Sequence, residues 1–357
     1  MRRTKNLRGM RGWLLLLGLG WMTSLVQPVA GQNPHFSQHY AAPLYLNPAL
    51  AALEKSGYVG LNYRDQWRSL GFPQKTGQLS LVLPVYGRSP ERVALGTLGA
   101  TACNDVLGEN GNFRTTGAAL SVSRALYNRP AHLLAVGIQA GLTQKRLDAN
   151  GLQWGSQYDP SVGFNPGLAP ATAPLADQRV FPVIHAGLLW HYRHSRAEDE
   201  DPNWSLFAGF AAGNLNRPDE SLLTGEPSHL PVLYKSHGGL HWRVTPRVGI
   251  SPNWLVMRQR GANQVNAGVY LDYTVTAAHR GKQTPLQMSA GAWYRLGDAF
   301  IWSVGTACKN YTLGFSYDVN VSSLRYGTGG RGAYEFSLSY RFAKGGTKIR
   351  RYATPLM

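Results

Sequence analysis

The sequence predicts an all-β fold, a transmembrane antiparallel β-barrel of about 14 strands with an N-terminal plug-like segment. Three observations lead there. In Tyr334-Glu335-Phe336-Ser337-Leu338-Ser339-Tyr340-Arg341-Phe342 every even position is large and apolar and every odd one polar or charged, so a strand has one greasy and one wet face. The same dyad recurs from about residue 58 to the C-terminus, with almost no helical period from which a covering layer could be built. The connections alternate in length by parity, as in barrels with short periplasmic turns and longer extracellular loops. A soluble two-sheet sandwich has no reason to sort its loops this way.

In chain order, residues 1–31 read as a secretory signal peptide. Arg2, Arg3, Lys5, Arg8 and Arg11 precede the apolar run Trp13 to Trp21, and Val29-Ala30-Gly31 offers a small-residue cleavage site. Residues 32–57 make the plug-like segment, rich in His35, Phe36, His39, Tyr40 and Tyr45, with Pro43 and Pro48 breaking any long helix. It is expected in the periplasmic mouth, as a plug, as a simple seal of the barrel floor, or docked on a periplasmic ring.

Residues 58–342 carry the barrel. The expected strands are 58–67, 77–86, 92–103, 113–126, 131–147, 180–193, 202–213, 232–244, 246–257, 264–276, 285–296, 298–308, 310–321 and 333–342. An even count suits a bacterial barrel with both termini in the periplasm. Leu79, Leu81, Leu83 and Val85 should face lipid, as should Ile184, Ala186, Leu188, Trp190 and Tyr192. Trp190, Tyr192, Tyr340 and Phe342 fall near strand ends, where aromatic girdles sit. The inward connections 87–91, 127–130, 194–201, 245, 277–284 and 309 are short; the outward ones 148–179, 214–231 and 322–332 are long, with 297 an exception. Four prolines make 148–179 irregular rather than a hidden domain, and the acidic run Glu198-Asp199-Glu200-Asp201 reads as a solvated turn. Residues 343–357 form a basic periplasmic tail.

Composition narrows the function. Loss of the signal peptide removes five basic residues and no acidic one, taking the formal charge from +17 to +12. Export argues against a nucleic-acid partner. The charge is expected in the lumen, in the tail, and in loops facing anionic lipopolysaccharide, which with outer-membrane lipid is an expected partner. Cys103 and Cys308 fall on the third and twelfth strands, too distant around the wall for sulfur contact unless a loop intervenes, so packed free thiols are expected. With no paired ligand spacing, neither a metal nor a cofactor is expected. His185, His191, His237 and His241 invite an enzymatic reading, but Ser289 and Ser303 lie near no histidine in the sequence and no Gly-x-Ser-x-Gly elbow occurs, so no catalytic residue and no enzyme activity are expected.

Parity also selects a candidate cluster. Asn62, Arg64 and Gln66 share the inward face of the first strand, with Trp67 at its end, while Asp318 on the penultimate strand and Glu335 on the last come close once the barrel closes. Arg64 is expected to pair with these carboxylates, the alternative being that it binds a carboxylate of a peptide.

The opening words QNPHFSQHYAAPLYLNPALAAL, residues 32–53, run into VGLNYRDQW, residues 59–67. Later come Gln144-Lys145-Arg146-Leu147-Asp148 with Gln157-Tyr158-Asp159, then Tyr294-Arg295, Gly314-Phe315-Ser316-Tyr317-Asp318, and the final strand Tyr334 to Phe342. In this order they resemble the PorP/SprF family of type IX secretion outer-membrane proteins, found in gliding and secreting bacteria of the Bacteroidetes group. The tail departs from the family: relatives often finish with a Cys-Pro-Arg-Phe-like ending, whereas this chain ends Arg350-Arg351-Tyr352-Ala353-Thr354-Pro355-Leu356-Met357. The resemblance implies a non-enzymatic barrel in the cell outer membrane. It would help to export, or retain at the surface, cargo with a C-terminal sorting domain, in some members gliding adhesins. It implies secretion ring subunits at the periplasmic turns and tail, and cargo at loops 148–179 and 214–231. Phe36, Tyr40, Tyr45, Asn47, Gln157 and Asp159 join the candidates for partner binding or the lumen network. The rival reading is a solute-conducting outer-membrane porin or hydrophobic-substrate transporter, gated by the N-terminal segment.

Overall fold

Branched and aromatic residues alternating with small polar ones favour an extended backbone with two unlike faces, and the chain uses them to close a cylinder. The computed structural model describes residues 35–87, 94–108, 110–129, 131–149, 152–168, 176–194, 203–275 and 286–342. The strands run β1 (Gly57–Gln66), β2 (Gln74–Tyr86), β3 (Ala94–Leu107), β4 (Phe113–Asn128) and β5 (His132–Leu147). The small loop strands β6 (Tyr158–Asp159) and β7 (Gly163–Phe164) pair only with each other. Next come β8 (Gln178–His194), β9 (Trp204–Gly213), β10 (Leu233–Arg243), β11 (Val248–Gln259) and β12 (Ala262–Thr274). The wall ends with β13 (Gln287–Arg295), β14 (Ala299–Cys308), β15 (Tyr311–Asn320) and β16 (Arg331–Phe342). Apart from β6 and β7, each strand pairs antiparallel with its chain neighbour, and β1 pairs with β16 from Gly57↔Phe342 to Gln66↔Ala333, closing a barrel of 14 strands.

Closure leaves no sheet edge, and that is the condition for a sheet to sit in hydrocarbon. The outward face is correspondingly apolar: Leu79, Leu83, Leu120, Ile138, Ile184, Leu188, Val304, Leu313 and Phe336 are exposed. At the end where the barrel starts and finishes, Tyr311 meets Tyr340 at 4.8 Å, Tyr340 stacks on Phe342 at 6.1 Å, and Trp190 stacks on Tyr192 at 6.4 Å. Toward the opposite, distal end Tyr294 meets Phe300 at 4.7 Å and Phe210 stacks on Tyr234 at 6.1 Å. These are the two aromatic belts of a membrane barrel. Among the described residues no helix is long and apolar enough to cross a bilayer.

Expected and observed strands agree to within four residues at each end. The inferred single-residue turns are wrong: Thr245 sits in the connection 244–247, and Lys309 with Asn310 makes a two-residue turn, Lys309 at φ 50°. An antiparallel pair needs at least two residues to reverse with the twist of its strands, and the first must enter the left-handed region. The isolated Gly297 likewise belongs to a connection of three residues, at φ 70°. Residues 1–34, the acidic run 198–201 and the tail 343–357 lie outside the described residues, as do 150–151 and 169–175 of loop 148–179.

The interior differs from the polar lumen that alternation alone suggests. Residues 39–53 form three short helical pieces, His39–Ala41, Pro43–Leu46 and Pro48–Leu53, with Pro43 and Pro48 each at a first-turn position where a missing N–H costs nothing. They lie inside the barrel. Tyr40, Leu46, Leu50 and Leu53 pack against inward-facing Leu133, Leu189, Phe207, Leu255, Trp293 and Ile301 in one core. Wall glycines make room: a Cβ on Gly137 would stand 2.5 Å from the Ala49 nitrogen and the Pro48 carbonyl carbon, and one on Gly187 would overlap Asn47.

Leu120, 71% exposed near the middle of β4, tests the membrane assignment. Leu120→Arg is expected to destabilise the barrel by about 2–4 kcal/mol if it lies near the bilayer midplane. Reversible urea unfolding from lipid vesicles measures this, and a variant as stable as the parent would place that face away from hydrocarbon.

Candidate functional site

The seam between the first and last strands gathers the charges. Register sets Arg64 directly opposite Glu335. Asp318 sits on β15 at a bulge between Asp318 and Val319, a device that re-aims a side chain. Arg64 Nη2 donates to Asp318 Oδ2 at 2.8 Å and Nη1 to Glu335 Oε2 at 3.3 Å. Arg295, at the end of β13, donates from Nη2 to the same Asp318 oxygen at 3.1 Å and from Nη1 to Asp298 at 3.0 Å. Arg64, Arg295, Asp318 and Glu335 are all nearly fully buried. Two cations and two carboxylates balance, which makes ionised groups tolerable there.

The N-terminal segment supplies what the charges lack. Ser37 Oγ accepts from Arg64 Nη1 at 2.7 Å and from Arg295 Nη2 at 3.0 Å, and donates to Asp318 at 2.8 Å. The backbone N–H groups of Ser37 and Gln38 donate to the Glu335 carboxylate at 2.7 and 3.1 Å. Gln38 Nε2 donates to the Glu335 carbonyl at 2.9 Å and Gln38 Oε1 accepts from Ser337 at 2.7 Å. The Asn62 amide, with its nitrogen turned to the segment, donates to the Ala41 carbonyl at 3.1 Å. Gln66 accepts from Arg64 Nε at 3.0 Å and donates to Gln74, extending the polar row toward Asp105.

Arg64 lies seven residues along β1 from Gly57, roughly 23 Å of strand. The segment therefore reaches well past the mouth where sequence alone would leave it. Further contacts hold it at other levels. Phe36 packs edge-on to Tyr45 at 5.4 Å, and Tyr40 edge-on to Phe207 at 5.8 Å. Lys235 Nζ donates to the Tyr45 carbonyl at 2.5 Å. Asn47 accepts from Ala49 N at 2.9 Å and donates to the Leu188 carbonyl at 2.9 Å, tying a helix start to the wall. Ser123 Oγ donates to the Pro48 carbonyl at 2.7 Å. Near the strand that closes the barrel, Arg341 pairs with Glu54 at 3.2 Å. The path is oblique, leaving a cavity of about 170 Å³ on its distal side, under β3 to β10, and a crevice of about 60 Å³ on the other, beside β11 to β15.

Nine of the twelve candidates thus lie in or against the lumen assembly: Phe36, Tyr40, Tyr45, Asn47, Asn62, Arg64, Gln66, Asp318 and Glu335. Trp67 does not; it turns the chain out of β1 at φ 59° and donates its N–H to the Gly332 carbonyl at 3.0 Å. Gln157 and Asp159 do not either. Gln157 ties its own loop, donating to the Leu168 carbonyl at 2.9 Å, and Asp159 accepts from the Ser161 N–H at 2.7 Å, a turn whose hydrogen bonds hold its carboxyl below the usual range. Sequence reasoning missed Ser37, Gln38, Arg295 and Lys235. Arg295 was within reach, since the parity that puts Tyr294 outside puts it inside.

Ser251 meets a histidine: its Oγ lies 2.9 Å from His241 Nδ1 and donates to Asp272 at 3.3 Å. Its hydroxyl stands between histidine and carboxylate, the reverse of the order in which a histidine activates a serine. Cys103 and Cys308 are free thiols on separate strands, and no cluster of three or more metal-ligating side chains occurs among the described residues.

At the distal rim, ion pairs Lys145–Glu220 and Arg179–Asp219 tie β5 and β8 to the connection between β9 and β10. Asp219 also accepts from the Ser228 and Ser221 N–H groups, which hold its carboxyl below the ordinary range.

A family model described as type IX secretion system membrane protein PorP/SprF matches residues 29–340. No individually curated protein matches the sequence. Among solved structures, the toluene transporter TodX of Pseudomonas putida is similar at 11% identity and TM-score 0.49, covering 84% of this chain and 93% of that one. The toluene transporter TbuX of Ralstonia pickettii is similar at 13% identity and TM-score 0.47, covering 85% and 94%.

Asp318 holds Arg64 and Arg295 together. Asp318→Ala is expected to cost about 3–5 kcal/mol of stability, the penalty for stranding buried charge. Arg64→Ala should cost a comparable amount, because it strands the fully buried Glu335 carboxylate. Denaturant titrations in the same lipid measure both, and an Asp318→Ala barrel of parental stability would mean that the cluster is solvated.

Proposed function

The chain belongs to the PorP/SprF family of type IX secretion system membrane proteins, and from that premise we propose that it is a plugged outer-membrane scaffold for surface export rather than an open pore. Its cargo would be proteins with a C-terminal sorting domain, gliding adhesins among them. The observation that carries the reading is the occupied lumen: the segment from His35 to Leu53 is packed and hydrogen-bonded to the inward faces of strands around the barrel. In this reading the segment is a plug. A lumen filled this way gives the barrel a rigid body on which loops can be presented, and leaves transport to partners.

The distal rim would be the extracellular face, because it bears the longest connections. There the cross-linked connection 214–232 offers a surface already held in one shape, which lowers the ordering cost of binding a folded sorting domain. The connections at the terminal end, together with the basic residues 343–357, would meet the periplasmic ring subunits of the secretion machinery. Outer-membrane lipid and the phosphates of lipopolysaccharide would surround the apolar wall and its basic rim.

A transporter remains the second reading, favoured by the separate cavities on the two sides of the segment. Conduction would then require the segment to move.

Affinity purification from native membranes is expected to recover secretion subunits and sorting-domain cargo, with cargo lost and ring subunits retained when 214–231 is replaced by a short Gly-Ser linker. Recovery of neither class would end the secretion reading. In planar bilayers the intact barrel is expected to pass little current and a variant lacking residues 35–53 to conduct steadily. High, stable conductance from the intact chain would favour the transporter instead.

A further inference from the structure

The distal cavity has a chemistry that the secretion role does not use. Its floor is the segment itself, Leu44 to Leu46, and its walls include Ala119, Phe181, Val183, Ala211 and Leu233. Into this apolar space faces Lys235 of β10, 6% exposed. Its ammonium donates to the Tyr45 carbonyl at 2.5 Å and stands 3.8 Å from the centre of the Tyr45 ring. Unlike Lys145, which pairs with Glu220, Lys235 has no carboxylate within ion-pair distance among the described residues. The other carboxylate on the cavity, Asp105, is engaged by Gln74 at 2.9 Å and Thr76 at 2.5 Å. His185, on the neighbouring wall, accepts from the Asn214 N–H at 3.3 Å through Nδ1 and brings no negative charge.

A desolvated ammonium is costly unless a counter-charge meets it, and a carbonyl with an aromatic face supplies only part of one. The rest of the lining is largely hydrocarbon. We infer that this cavity is a binding site for a carboxylate carried on a short apolar body, with Lys235 as its ion-pair partner and Tyr45 as its platform. The same chemistry belongs to a medium-chain fatty acid and to the C-terminus of a polypeptide ending in apolar residues. About 170 Å³ admits either only as a short end group. Both sources would enter from the distal side, where the cavity meets the connection bearing Glu220 and Leu230.

The test uses the full-length mature barrel in nanodiscs of neutral phosphatidylcholine. Binding is read by NMR line broadening of hexanoate labelled with carbon-13 at its carboxylate, against hexanol as the uncharged control. A second arm compares the tripeptide Leu-Ala-Val as free acid and as C-terminal amide. The expected result is binding of hexanoate, of the free-acid peptide, or of both, with neither neutral counterpart competing; which acid binds identifies the source. Lys235→Met should weaken binding by at least about thirtyfold, as loss of one member of a buried charge pair does, while Lys235→Arg retains it. Should Lys235→Met fail to give the heat-modifiable band of a folded barrel, Ala119→Phe, which fills the cavity from β4 without touching Lys235, should abolish binding equally. The inference is overturned if neither acid binds, if hexanol or the amide binds as well as its acid, or if folded Lys235→Met or Ala119→Phe binds as the parent does. None of these outcomes bears on recovery of secretion subunits, so the two readings fail separately.

Discussion

The pairing of β1 with β16 is the constraint on which the rest depends. In a hydrocarbon surround an unpaired strand edge leaves a row of backbone donors and acceptors without partners, so the first and last strands must meet. Their meeting from Gly57↔Phe342 to Gln66↔Ala333 fixes register around the whole wall. It also brings Arg64 opposite Glu335, residues 271 positions apart in the chain. The seam that closes the barrel therefore assembles the buried charges. Those charges in turn place Ser37 and Gln38, and with them the segment that fills the interior.

Filling the interior changes what an inward-facing residue has to be. Against water an inward position should be polar, but against the segment it becomes part of a protein core. Leu189, Phe207, Leu255 and Ile301 are inward and apolar because Tyr40, Leu46 and Leu50 lie across from them. Gly137 and Gly187 are inward and bare because the turn at Asn47 to Ala49 comes too close for a side chain. Wall and segment are complementary at the level of single atoms, so the segment acts as part of the fold and its displacement would open voids.

These relations explain what could be read in advance. A period of two is local, so the alternating faces of β2, β8 and β16, and the inward placing of Arg64, Asp318 and Glu335, were legible from the chain alone. Arg295 obeys the same parity. What the period does not show is its reach across β14 to Asp318, and to Ser37 of the segment. Ser37 and Gln38 themselves carry no period; their role rests on a backbone path that Pro43 and Pro48 interrupt without specifying. The contact of Ser251 with His241 was invisible for a related reason, since cross-strand neighbours ten residues apart depend on turn length, and the turn after β10 is longer than the single Thr245 inferred. Loop candidates behave differently: Gln157 and Asp159 hydrogen-bond within their own loop and stand apart from the lumen assembly.

The two halves of the segment hold on by different means. At the distal end the contacts are polar and mostly charge-assisted, Ser37 and Gln38 meeting Arg64, Arg295, Asp318 and Glu335 through hydrogen bonds that contribute about 1.5–3 kcal/mol each. At the other end the contacts are apolar. Leu44, Leu46, Leu50 and Leu53 are each buried, and fully burying such side chains contributes roughly 1.5–3 kcal/mol apiece. Retention thus rests on both holds, and orientation on the directional polar contacts. The two differ in what loosens them: water admitted from the distal side would weaken the charge-assisted bonds at Ser37 and Gln38, whose strength depends on a low local dielectric, while leaving the apolar core around Leu50 in place.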